Sequence, residues 1–198
     1  MHRALTIVAL AAAAISPLAA CGDREREGAQ ASSGALPPAE TAAGFVARMT
    51  LTDLYEIDAG RIALERATTP EVRSFAETMI ADHQRAGAEM QAAIASQRSP
   101  ARPPAELDAP RRALLGDLRA ASDAAFEAVY IDQQVEAHEN ALRLLREHAE
   151  TGDTPALRDW ARRTAPRVDD HRKMAHALDR RAGAGGSAET GVAGGQRR

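Results

Sequence analysis

The chain has 198 residues, enough for one domain with tails. Aromatic residues make up only 3% of it, so a core must be built from Ala, Leu, Ile, Val and Met, which suits close-packed helices better than a β-sandwich. A formal net charge of -3 leaves no broad basic excess for nucleic acid, and it is too mild for an acidic tail that captures basic partners.

The N-terminus reads as an export signal. His2 and Arg3 give a basic start, Ala4 to Ile15 is an uncharged apolar run, and Pro17 breaks it. Leu18-Ala19-Ala20-Cys21 then matches the lipobox of bacterial lipoproteins, so residues 1–20 are expected to be a signal peptide and Cys21 a lipidation site. An ordinary secretory signal cut near Ala20 is the alternative. Cys21 is the only cysteine, which leaves no partner for an internal disulfide. Gly22, where an Asp would favour retention, resembles the pattern of enterobacterial lipoproteins sent on to the outer membrane. The expected address is therefore the periplasmic face of that membrane. Residues 21–41 are rich in Gly, Ser, Ala, Pro and Glu and read as a flexible tether.

Helical periodicity begins near Ala42. Phe45, Met49, Glu56, Ala59 and Ala63 keep helical spacing until Thr68-Thr69-Pro70, where Thr69 suits an N-cap and Pro70 a first helical position. The second helix runs to about Arg98 on the inner line Phe75, Met79, His83, Ala86 and Met90. Pro100, Pro103, Pro104 and Pro110 predict a loop, followed by a short helix over Arg111 to Ala120. A third long helix starts at Ser122, with Phe126, Tyr130, Gln134, His138, Ala141 and Leu145 on one face. The fourth opens at Thr154-Pro155 and carries Leu157, Trp160, Thr164, Val168, His171, Ala175 and Leu178 inward, with Pro166 expected to kink it. The Gly-rich residues 182–198 are expected to be a disordered tail. The prediction is an all-α four-helix bundle over residues 42–181.

The chain repeats itself. Thr69-Pro70, Arg73-Ser74-Phe75-Ala76 and Asp82-His83 return as Thr154-Pro155, Arg158-Asp159-Trp160-Ala161 and Asp170-His171. Upstream, Glu56 aligns with His138, Arg61 with Arg143 and Glu65 with Glu147. Two pseudo-repeated hairpins would then bring Glu56, His83, His138 and His171 to the middle of the bundle, one from each long helix. Bundles build metal sites in this way. Three imidazoles and a carboxylate suit Zn, Fe, Cu or Mn. Asp82, Glu139 and Asp170 each adjoin one of the histidines in sequence. Neighbours on a helix point about 100° apart, so these three are expected to accept from ring N–H groups or to form a second, shallow site.

The same four residues also suit a hydrogen-bonded network that only fixes helix register, with no metal. His148 and His176 lie toward helix ends and are expected to be exposed. The methionines are read as core filling and Trp160 and Tyr130 as core anchors.

The pattern as a whole resembles a family of bacterial envelope proteins with a ferritin-like fold and no assigned function. The resemblance runs from about Gly44 to Arg181 and rests on four stretches. These are Glu56 with its Ala-rich turn, Phe75-Ala76 through Met79 to Asp82-His83, Phe126 to Val135-Glu136-Ala137-His138-Glu139, and Leu157 to Ala161 leading to Pro166 and His171. It implies the fold and the envelope address but no activity. Di-iron sites of that fold carry Glu-x-x-His on two helices, whereas Ile80, Val135 and Val168 stand three before the histidines here, against ferroxidase chemistry. Nucleophile elbows, phosphate loops, CxxC pairs and HExxH are all missing, so the reading leans away from an enzyme. Two function classes remain: a lipid-anchored envelope protein that binds a transition metal, and a non-catalytic structural or interaction module of the envelope. The membrane is the expected partner through the lipid, with the protein partner open and a homo-oligomer compatible.

Overall fold

The computed structural model describes residues 36–97 and 101–189. The segment expected to be a signal peptide, Cys21 and most of the expected tether lie outside the described residues, as do residues 190–198. The described part is all-helical: α1 (Ala42–Arg66), α2 (Pro70–Ser96), α3 (Ala109–Ala120), α4 (Asp123–Thr151) and α5 (Pro155–Glu189). Among the described residues no helix is long and apolar enough to cross a membrane.

Local chemistry sets the ends. Thr41 caps α1 by accepting from the Gly44 N–H at 3.1 Å, and Thr69 caps α2 toward Val72 with Pro70 in the first turn. Asp108 caps α3 by accepting from the Arg111 N–H at 3.1 Å. Pro110 therefore belongs to the first turn of α3 rather than to the preceding loop, because a proline costs nothing where the N–H has no helical partner. At the other end of the chain α5 stays helical through Glu189, past the boundary expected at Arg181, so residues 182–189 are not the start of an irregular tail. Ala182, Ala184 and Ala188 favour helix, and no proline follows Pro166 to stop it.

The four long helices form a ring: α1 packs on α2, α2 on α5, α5 on α4 and α4 on α1, while α3 lies against α1 and α4. Arg66, at the end of α1, secures the α3–α4 corner by donating to the Leu118 and Ala121 carbonyls at 2.9 and 2.7 Å, with its guanidinium over the Phe126 ring.

The interior has three layers. One apolar cluster surrounds Phe45, Met49, Met90, Leu145, Leu157 and Trp160. Another surrounds Tyr55, Phe75, Met79, Leu118, Phe126 and Tyr130. Six of the buried polar residues fall where one cluster gives way to the other: Asp53 and Glu56 on α1, His83 on α2, Gln134 and His138 on α4, His171 on α5; His148 and Thr164 lie instead beside the first cluster. Burying this layer is costly unless its groups find partners, whereas the apolar layers stabilise the fold at roughly 25 cal/mol per Å².

Candidate metal centre in the polar layer

His83, His138 and His171 meet in this layer. Each offers a ligand atom, and those atoms all lie within 4.8 Å of one another. The ring centroids are 5.7 Å apart for His83 with either partner and 5.4 Å apart for His138 and His171. All three residues are buried, at 4%, 1% and 3% exposure, which excludes bulk water as their partner.

Each ring is held by one nitrogen. His83 Nδ1 bonds Asp53 Oδ1 at 2.9 Å, from the facing helix α1. His138 Nδ1 donates to the Gln134 carbonyl one turn back at 2.8 Å. His171 Nε2 bonds Asp82 Oδ2 at 2.8 Å, from α2. The second nitrogens, His83 Nε2, His138 Nε2 and His171 Nδ1, are buried and have no hydrogen-bond partner among the protein atoms. A carbonyl only accepts, so the Gln134 bond fixes His138 as the Nδ1–H tautomer with a lone pair on Nε2. Anchoring one nitrogen by a carboxylate or carbonyl and leaving the other bare is how proteins orient histidine ligands.

Electrostatics agree with neutral rings at His138 and His171. Burial, then the neighbouring His83 charge, pushes His138 down to about 3, with the Gln134 carbonyl opposing. Burial also lowers His171, against the pull of Asp82. For His83, burial acts downward, but the Asp53 bond and charge, with Glu56 and Asp82, hold it above its usual value. Burial raises Asp53 in turn, so this pair holds its proton tightly between the two groups.

Glu56 is fully buried in the same layer, and neither of its oxygens has a hydrogen-bond partner. It does not belong to the group of ligand atoms within 4.8 Å. Burial raises its carboxyl to about 7, while the His83 charge and the Gln134 amide alongside act downward. Of the three acidic neighbours, Asp82 reaches a ring, but that of His171 on α5 rather than its own neighbour His83. Asp170 turns to solvent and pairs with Lys173 at 3.0 Å, and Glu139 pairs with His176 at 3.1 Å on the surface.

Two residues stand where the sequence reading did not place them. Asp53 is one: it lies four residues after Met49 and three before Glu56, and that spacing, which fills the gap in the inner line of α1, is the signal that marks it. His148 is not exposed: it is 1% accessible and stacks on Phe45, with ring centroids 3.8 Å apart and planes 6° apart. The first turn of α1 covers the end of α4 there, a tertiary contact that a position near a helix end does not disclose. Burial lowers the His148 pKa as its largest cause.

Residues 27–178 match the family model described as "Domain of unknown function (DUF4142)". A solved structure described as "CopM in the Cu(II)-bound form" is similar in fold, with a TM-score of 0.59 and 21% identity. The match covers 71% of this chain and 97% of that one. No curated protein matches the sequence.

Proposed function

Because the chain belongs to the DUF4142 family, whose description assigns no activity, we propose from the site itself that the protein holds one transition-metal ion through His83, His138 and His171. The observation that carries this reading is that three buried rings each offer a ligand atom within 4.8 Å of the others, and that each ring has one buried nitrogen without a protein partner. A buried polar nitrogen left unsatisfied costs about 1–3 kcal/mol, and a cation among the three, taking the place of any proton on His83 Nε2, would give each of them a partner. A register-fixing network makes a different demand: its members must satisfy one another. Here the three anchoring bonds use one nitrogen each, and none of them joins one ring of the triad to another.

Three imidazole donors suit Cu, Zn and Ni. Copper is the first ion to try, since the similar fold is described with Cu(II) bound. Asp53 and Asp82 would orient the rings and offset the charge, and Glu56 would add a further carboxyl, fully buried, in the same layer. The lipobox ending in Cys21 supports an anchored envelope protein, a holder of metal at the membrane surface rather than a catalyst.

Elemental analysis of untagged protein, followed by Cu(II) titration in a non-coordinating buffer, tests the site. We expect about one equivalent per chain, a melting temperature that drops on chelation, and loss of both in His83→Ala and His171→Ala. Protein that takes up no metal, melts identically with and without chelator, and loses stability in the two variants would instead support the network. For the anchor, native protein should stay with membranes at high salt while Cys21→Ser is released or left uncut. Retention of Cys21→Ser under those conditions would remove the lipid from the account.

A further inference from the structure

Resting on that metal reading, we propose that the groove between α2 and α5 is the port through which the cation reaches the triad, with Asp82 as the ligand that hands it over. The groove has a volume of ≈ 900 Å³, and its lining includes Asp82, Glu89, Asp159, Asp170, His171 and Met174. Its carboxylates grade from outside to inside: the Asp170 and Asp159 side chains are 70% and 59% exposed, Glu89 45%, Asp82 16%. On the inner side lies a void of ≈ 10 Å³, room for about one water-sized sphere, lined by Asp53 and His83 among others. Groove and void share Asp82, Arg167 and His171, so these three side chains form the partition between solvent and the polar layer.

The partition is built for passage. His171 spans it, with Nε2 on the groove-side carboxylate of Asp82 and Nδ1 buried without a partner. Asp82 also holds Arg85 at 2.7 Å, so its carboxylate already serves a cation at the surface end. Arg167 is tied outward to Glu89 at 3.1 Å. Its guanidinium sets a positive charge beside the passage and acts as the barrier. A cation drawn in by Asp159 and Asp170 would replace Arg85 on Asp82, pass Arg167, and settle among the ring nitrogens. The groove on the opposite face, between α1, α3 and α4, carries Glu136 but touches no triad histidine.

The test is stopped-flow mixing of the whole mature chain with Cu(II), read by quenching of the single tryptophan, Trp160, with release into excess chelator measured separately. Asp170→Arg should slow uptake and release alike by about tenfold, because it places a positive charge in the mouth. Glu136→Arg makes the same change of charge on the other face and should leave both rates at the parent values. Arg167→Ala should speed both rates. In every case the equilibrium affinity should stay near that of the parent, since a barrier on the path alters both directions equally. Rates in Asp170→Arg that match the parent, or slowing as large in Glu136→Arg, would overturn the port while leaving the metal site intact. An equilibrium titration in which the parent binds no Cu(II), or in which His83→Ala binds as well as the parent, would bring down the metal reading and the port together. Asp170 is exposed, so its variant keeps the test decisive even if Arg167→Ala proves poorly folded.

Discussion

The two hairpins occupy matching places in the bundle and do different chemistry. The first, α1 with α2, brings Asp53, Glu56 and Asp82 to the polar layer and one imidazole, His83. The second, α4 with α5, brings two imidazoles, His138 and His171, and no carboxylate; Asp170, the counterpart of Asp82, faces Lys173 in solvent. Related backbones have thus been divided into one that supplies negative charge and one that supplies neutral donors. The difference teaches that a sequence repeat sets position on a helix face, whereas the side chain across the interface sets what the position does.

The sharpest break in this comparison sets Glu56 against its counterpart His138. The folded chain raises the Glu56 carboxyl from 4.5 to about 7, so folding takes up a proton between these values. That contribution to stability is complete below pH 4.5 and is lost as pH rises through 7. His138 runs the other way. Lowered from 6.5 to about 3, it contributes stability above pH 6.5 that is lost as pH falls toward 3. Urea unfolding in chelator should therefore show Glu56→Gln gaining on the parent as pH rises from 4.5 to 7 and levelling beyond, by about 3 kcal/mol at most. A difference between the two proteins that stays constant over this range would mean that Glu56 ionises as freely folded as unfolded.

Next in size is the contrast between Asp82 and Asp170. Asp82→Asn removes the negative charge behind His171 and should weaken Cu(II) binding about 10- to 100-fold. Asp170→Asn should leave equilibrium affinity unchanged, because its partner is Lys173 on the surface. Competitive titration against a chelator of known affinity reads both. Equal losses would show that proximity in sequence to a histidine matters more than the contact seen here.

Much of this was legible in the chain, and the failures have definite causes. Periodicity and Thr-Pro caps located four long helices, because a 3.6-residue apolar rhythm closed by a side-chain acceptor has few alternatives. Each histidine of the triad was legible as a polar residue on an apolar line. What decides the role of each ring lies across an interface: Asp53 on α1 holding His83 of α2, and Asp82 on α2 holding His171 of α5. Helix phase says which face a residue is on, but not which facing residue it meets at a given level. Asp82 was therefore legible as an acceptor for a ring N–H, but not as the partner of His171 in particular. His148 failed for a related reason, since only the packing of Phe45 turns a polar ring near a helix end into core.

The smallest effects lie at the hairpin turns, which are closed by different means. The second turn depends on a missing side chain. A Cβ on Gly152 would stand 2.4 Å from His148 Nε2, and that ring cannot retreat because it is stacked on Phe45. The backbone at Gly152 suits any residue, with φ -57 and ψ 145, so Gly152→Ala tests the contact alone and should cost about 1–3 kcal/mol. Adding His148→Ala should remove most of that increment, leaving the cost of the histidine itself. The first turn has no glycine and is held instead by a carboxylate from the other hairpin. Glu127 accepts from the Thr68 and Thr69 N–H groups at 2.6 and 2.7 Å and from both hydroxyls at 3.0 Å. Partial burial would raise its pKa, but these four donors hold it below the usual carboxylate value. Glu127→Ala should cost about 1 kcal/mol, since the freed N–H groups lie near enough to the surface to find water. Glu127→Gln keeps an acceptor oxygen for the backbone donors and should cost less. If the two substitutions prove equally damaging, the charge of Glu127, rather than its bonds to the turn, is what joins the hairpins there.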